Sequence, residues 1–186
     1  MARDSTRQRV HDAVLELAAE LSFHEITMEG IAARAGVGKQ TLYRSWRSTG
    51  AILFDAMLAR STDETGAVAI PDTGDLRADL TGFVAGTIAE LTTPSQDRLL
   101  RSLTAVIQTD DRLADDYRDH LLRPQLDAVI ARLRSGGVAS QDADAAAELL
   151  LGPILHRWLL RTGPFAPDWA EEHVDRMLRA VGGWET

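Results

Sequence analysis

Between residues 27 and 47 the chain reads TMEGIAARAGVGKQTLYRSWR, and the order of its turn-forming and apolar residues leaves little choice of local structure. Thr27 is a hydroxyl residue placed to cap a short helix. Ile31 gives that helix an apolar contact, and Ala32 is small enough to let another helix come close. Gly36 stands where the chain must turn, a position suited to a residue that tolerates positive φ. Val37 anchors the turn. A second short helix follows, with Leu42 facing inward and Lys39, Gln40, Thr41, Tyr43 and Arg44 facing largely outward. Two short helices joined by a Gly-containing turn form a helix-turn-helix, whose second helix is the one that enters a DNA major groove. Its outward side chains are of the types that contact phosphates and base edges.

The flanking chain also reads as helix. Ser5-Thr6-Arg7-Gln8 has the spacing of a capping box. The helix after it carries Val10, Val14, Leu17, Ala18 and Leu21 on one face. Arg3 and Arg7 in its polar first turn are candidates to lie near DNA backbone. Phe23 and Ile26 are expected to close a small three-helix core. Ser48 can cap a fourth helix holding Ile52, Leu53, Ala56 and Met57. The Thr-, Gly- and Asp-rich stretch from Ser61 to Gly74, with Pro71, is the expected boundary loop. Beyond it the patterns predict helices over Asp75–Thr92, from a capping box at Thr93-Pro94-Ser95-Gln96 to about Gln108, over Asp110–Arg134, from about Gln141 to Arg161, and over Pro167–Val181. Pro124 should kink or interrupt its helix, and Pro153 should bend its own. Gly136-Gly137, Gly163-Pro164 and Gly182-Gly183 are stop signals. The expected fold class is all-α. An N-terminal helix-turn-helix domain over 1–47 precedes a C-terminal helical domain over 48–186, with the helix over 48–62 as connector.

The whole string from Ile31 to Ser48 resembles the DNA-binding segment of TetR-family transcriptional regulators. It runs Ile-Ala-x-x-Ala-Gly-Val, one spacer, then Lys-x-Thr-Leu-Tyr-x-x-aromatic-basic-Ser. The close resemblance covers about residues 8–58, and beyond them only the overall plan matches. Three departures stand out. Gly38 occupies a cap position often held by Ser, a change that costs a few tenths of a kcal/mol. Thr49-Gly50 replaces a common Lys-acid pair, so one phosphate-contacting cation is missing and a Gly stands in a first helical turn. Trp46 replaces the usual Phe and keeps or enlarges a hydrophobic anchor. The resemblance implies a homodimer on a roughly palindromic double-stranded operator. Thr27, Thr41, Tyr43 and Arg47 would mainly contact phosphate. Lys39, Gln40 and Arg44 would read or approach base edges, Gln suiting adenine and Lys or Arg suiting guanine.

Charge bears on this reading. The 186-residue chain has a formal net charge of −8, which sits badly with DNA binding until it is divided. Residues 1–60 hold eight basic and seven acidic residues, leaving 12 basic and 21 acidic residues for 61–186. The acidity therefore lies in the second part, as expected if one end approaches phosphate and the other does not. Binding would lean on hydroxyls, helix N-termini and two-fold multiplicity more than on bulk positive charge. Cysteine is absent, which excludes disulfides and thiolate sites. No run approaches a membrane span, and no signal peptide is evident, so a cytoplasmic location is expected.

Catalysis finds little support. His11, His24, His120, His156 and His173 are scattered, without the spacing of a metal site, and no nucleophile elbow, phosphate loop or dinucleotide fingerprint appears. No enzyme activity, cofactor or metal is expected. The resemblance implies a small apolar or amphipathic effector held by the C-terminal helices. Phe83, Thr87, Leu103, Ile107, His120, Leu121 and Trp158 are its candidate contacts, although core packing accounts for any one of them at least as well. The last two helices carry more apolar surface than packing on one side needs. Leu151, Ile154, Leu155, Trp158, Val174, Met177 and Leu178 are the candidate dimer contacts. The expected function is a repressor released from DNA by its effector. The rival readings are the same fold acting as an activator or as a ligand-insensitive DNA binder, and an all-α small-molecule-binding protein or enzyme whose helix-turn-helix is incidental.

Overall fold

The computed structural model describes residues 2–61 and 70–182, with side chains for 5–60 and 70–182. Every regular element among them is helical: α1 Ala2–Glu20, a 3-10 turn Phe23–Glu25, α2 Met28–Ala35, α3 Lys39–Ser45, α4 Thr49–Ser61, α5 Leu76–Thr92, α6 Pro94–Ile107, α7 Asp111–Tyr117, a π-turn Arg118–Leu122, α8 Arg123–Ser135, α9 Ala143–Leu160 and α10 Trp169–Gly182. No described helix is long and apolar enough to cross a membrane. Of the expected boundary loop, residues 62–69 lie outside the described residues, as do Gly183 and the side chain of Arg3.

Packing gathers the chain into two compact units that cut across chain order: Met1–Gly66 with Pro94–Leu121, and Ala67–Thr93 with Leu122–Thr186. In the first unit α1 packs on α2, α4 and α6, and α7 packs on α4 and α6. Its core joins Val10 and Val14 of α1, Ile31 of α2, Leu42 of α3, Ile52 and Leu53 of α4, Leu103 of α6 and Leu113 of α7, all essentially inaccessible to solvent. In the second unit α9 packs on α8, α5 and α10, and α10 also packs on α5.

Several local expectations change. α1 begins at Ala2, so Ser5-Thr6-Arg7-Gln8 lies inside the helix and is not its start. α6 does begin at Pro94, directly after Thr93, but Thr93 also closes α5: its N–H reaches the carbonyls of Ala89 and Glu90, and its hydroxyl donates to Ala89 O at 2.8 Å. Pro124 does interrupt its helical stretch. The backbone widens into the π-turn over 118–122 and α8 restarts at Arg123, with proline in the first turn, where its missing N–H costs nothing. Pro153 instead lies inside the continuous α9.

Gly50 has a packing role that its helix propensity hides. A Cβ there would come within 2.9 Å of Val106 Cγ1 and 3.0 Å of Leu113 Cδ2. The start of α4 therefore sits so close to α6 and α7 that a side chain here would require Val106 and Leu113 to shift.

Candidate nucleic-acid interface

The α2–turn–α3 geometry follows its local signals. Thr27 is in extended conformation and its hydroxyl accepts the Gly30 N–H at 3.0 Å, which caps α2. Gly36 is left-handed at φ 63°, and the Val37 N–H closes the turn on Ala32 O at 3.0 Å. Gly38 caps α3 with its backbone alone. Leu42 is fully buried, whereas Lys39, Gln40, Tyr43 and Arg44 are exposed and Thr41 is half-buried. Six of the seven candidate DNA contacts thus cluster on the outer surface of α3 and the start of α2. Arg47 lies beyond α3.

The electrostatics of this surface come from acids that sequence reading passed over. Glu29, in the first turn of α2, stands 3.3 Å from Lys39 Nζ and accepts the Tyr43 hydroxyl at 3.4 Å. Its own backbone N–H, and then Lys39, hold its carboxyl below the usual carboxylate range. Arg34 is tied to Glu20 and Glu16 at 2.8 and 3.2 Å. Arg47 stands 3.5 Å from Asp116 and 3.7 Å from Asp110. Arg44 has no hydrogen-bond or ion-pair partner among the described residues.

Asp55 of α4 organises the base of α3. Its carboxylate accepts the indole N–H of Trp46 at 2.9 Å and contacts His11 Nε2 at 2.9 Å, with Arg7 donating from Nε at 3.1 Å and from Nη2. Burial pushes the Asp55 carboxyl up, but His11, Arg7 and Trp46 together outweigh it and hold the group well below the usual range. An ionised carboxylate only accepts, so the proton of the buried His11 must sit on Nε2. The residue that replaces the family's usual Phe is therefore more than a larger apolar anchor, because Trp46 hydrogen-bonds α3's end to α4.

The candidate effector contacts are divided between the two units. Phe83 and Thr87 are half-buried on α5, and Trp158 is buried on α9, in the second unit. The Thr87 hydroxyl is spent on Phe83 O at 2.9 Å. Leu103 and Leu121 belong to the core of the first unit, with Ile107 packed against it. His120 is exposed and lines an open cleft of about 1100 Å³ in that unit, whose walls include Arg44, Trp46, Phe54 and Leu113.

Five of the seven candidate dimer contacts are buried in the single chain. Ile154 and Val174 are 0% exposed, Met177 is 3%, and Leu151 and Trp158 are also buried. These five are therefore already enclosed within one copy of the chain. Leu178 is half-buried, and Leu155 alone of the seven is exposed. With 3.6 residues per turn, positions 147, 150, 151, 154 and 158 share the inward face of α9. The outward side instead shows Leu149, Leu155, Leu159 and Leu160, at 40–61% exposure. On α10 the inward Trp169 stacks on His173, which hydrogen-bonds Leu150 O from Nε2 at 2.8 Å.

Comparison with known proteins agrees with this architecture at both ends of the chain. Residues 11–56 match the model described as "Bacterial regulatory proteins, tetR family", and residues 70–177 match "Tetracyclin repressor-like, C-terminal domain". The chain is 28% identical over 189 residues to the uncharacterized HTH-type transcriptional regulator YdeS of Bacillus subtilis, covering 96% of this chain and 90% of that one. It is 30% identical over 187 residues to the DNA-binding transcriptional repressor TetR of Mycobacteroides abscessus, covering 96% and 95%. The solved structure of the TetR family transcription regulator SCO0332 superposes with a TM-score of 0.72 at 30% identity, covering 96% and 97%. With a capped helix-turn-helix that displays polar side chains outward, and family models spanning both of its parts, the chain belongs to the TetR family of DNA-binding transcriptional regulators.

Proposed function

We propose that this regulator is a repressor that binds a roughly palindromic operator as a homodimer and is released by a small apolar or amphipathic molecule. The observation that carries the DNA half is the outward display of Lys39, Gln40, Tyr43 and Arg44 on a helix whose inward Leu42 is fully buried. One such helix makes too few base contacts to specify a site, so two must act together. The exposed leucines of α9 offer apolar surface to a second copy. Repression, as opposed to activation, rests on the resemblance to the Mycobacteroides repressor. In this reading Thr27, Thr41, Tyr43 and Arg47 hold phosphate while Lys39, Gln40 and Arg44 face base edges. Phe83 and Thr87 are the effector contacts on α5. Release is a population shift, and it requires the effector to prefer the conformation that does not fit DNA.

The test is selection of bound sequences from random duplex DNA, repeated with a metabolite mixture, with sedimentation of the free protein. The expected result is one two-fold symmetric sequence, salt-sensitive binding, a dimer, and loss of binding with some fraction of the mixture. Enrichment of no sequence, or of an asymmetric half-site bound by a monomer, would overturn the reading.

A further inference from the structure

The DNA-facing surface is largely neutralised by the protein itself. Of the four cations between residues 27 and 47, Arg34, Lys39 and Arg47 each stand within 4 Å of carboxylates, and Arg44 alone has no such partner among the described residues. The acids differ in where they stand. Glu16 and Glu20 belong to α1, and Asp110 and Asp116 belong to α7 and its cap. Glu29 belongs to the helix-turn-helix, two residues from the cap Thr27 and one turn from both Lys39 and Tyr43 across the α2–α3 turn. It is about half exposed. Its carboxylate occupies the kind of position a DNA phosphate would take: beside a helix N-terminus, an ammonium and a phenolic hydroxyl.

We propose that Glu29 acts as an internal stand-in for DNA phosphate that lowers the affinity of this surface for any duplex. This rests on the DNA-binding reading and adds a mechanism to it. Lys39 and Tyr43 must exchange Glu29 for phosphate when DNA binds, and the displaced carboxylate then lies close to the polyanion. The exchange opposes binding to any duplex. Base-edge contacts, with Gln40 and Arg44 foremost, outweigh it only on the right sequence. Glu29 therefore lowers affinity for every duplex by a similar factor, so that sequences without those base contacts are not held. This suits a surface whose 60-residue N-terminal segment carries eight basic against seven acidic residues.

Glu29→Gln tests this in the full-length protein, because it keeps the side-chain length and removes the charge. Binding is measured on a selected operator and on a random-sequence duplex of equal length, over a range of salt concentrations. Random-duplex affinity should rise roughly eightfold per subunit at about 0.1 M salt, the counterion-release value of one phosphate contact, and the salt slope should steepen by ~0.9 per subunit. Operator affinity should rise by a similar factor. In a Lys39→Met, Tyr43→Phe background the same substitution should lose most of its gain. Melting curves of all variants should overlay to within a few degrees, because the site is exposed. Unchanged random-duplex affinity overturns the proposal. Weaker operator binding by Glu29→Gln also overturns it and makes Glu29 a direct contact, for instance to a cytosine amino group. If the parent protein binds no duplex at all, the DNA-binding reading itself fails and takes the proposal with it.

Discussion

Replacing Asp55 with alanine removes the one acceptor shared by three donors. The donors are not equivalent, and their exposure sets the size of the effect. Arg7 is 56% exposed at its side chain and recovers water when the carboxylate goes, so its ion pair contributes about 0–1 kcal/mol. His11 Nε2 and Trp46 Nε1 are different. His11 is 4% exposed, so its N–H stays without an acceptor, whereas the Trp46 bond is only partly buried beside the open cleft and its N–H regains water in part. Each buried orphaned donor costs about 1–3 kcal/mol. Asp55→Ala should therefore lower stability by roughly 1–3 kcal/mol through His11 with a smaller further loss at Trp46, and Arg7→Ala by under about 1 kcal/mol. Asp55→Asn keeps an acceptor oxygen but loses the charge, and should fall between them at about 1–2 kcal/mol. Urea unfolding followed by far-UV circular dichroism measures all three, provided the slope with denaturant is unchanged. A pH series adds an independent check. The folded carboxyl binds its proton less tightly than the unfolded chain does, so its contribution is present above about pH 4 and drains away as pH falls towards the depressed folded value. Asp55→Asn should lack that part of the acid dependence. A loss below about 1 kcal/mol for Asp55→Ala, or equal losses for Asp55→Ala and Arg7→Ala, would refute the assignment of the cost to His11 and Trp46.

Three other outcomes are expected. Gln40→Ala should relax preference at one base pair in each half-site, at about 1–3 kcal/mol; identical selected sequences from parent and variant would remove Gln40 from base reading. Leu155→Asp with Leu159→Asp, both on the outward face of α9, should give helical monomers that lose operator binding, whereas Ile154→Asp, at 0% exposure, should unfold its unit. An unchanged dimer in sedimentation by the outward pair sinks the α9 interface. Gly50→Ala should destabilise despite alanine's better helix propensity, because overpacking costs about 1–3 kcal/mol against a gain of about 1 kcal/mol at most; a raised urea midpoint would show that Val106 and Leu113 yield without strain.

How far the sequence reached depends on the range of the interaction in question. The Thr27 cap, the left-handed Gly36 and the inward Leu42 follow from residues within one turn of each other, and each stands where the local rules place it. The all-α class and most helix limits follow from the same short-range signals, because caps, glycines and apolar period act within a few residues. Errors arose where a local pattern had two uses. Ser5-Thr6-Arg7-Gln8 has cap spacing, yet α1 already includes it. Thr93 stands between two helices, directly before α6, yet its hydroxyl is spent on closing α5. α9 is apolar on both faces, so periodicity alone could not say which stripe packs inward. Ile154 and Trp158 went inside, and Leu155 and Leu159 stayed out. Tertiary structure alone decided the pairings between distant residues: Glu29 with Lys39 and Tyr43, Asp55 with Arg7, His11 and Trp46, and the close approach at Gly50. Those depend on which surfaces meet when helices pack. The charge a recognition helix presents to DNA therefore depends on its folded neighbours as well as on its own residues.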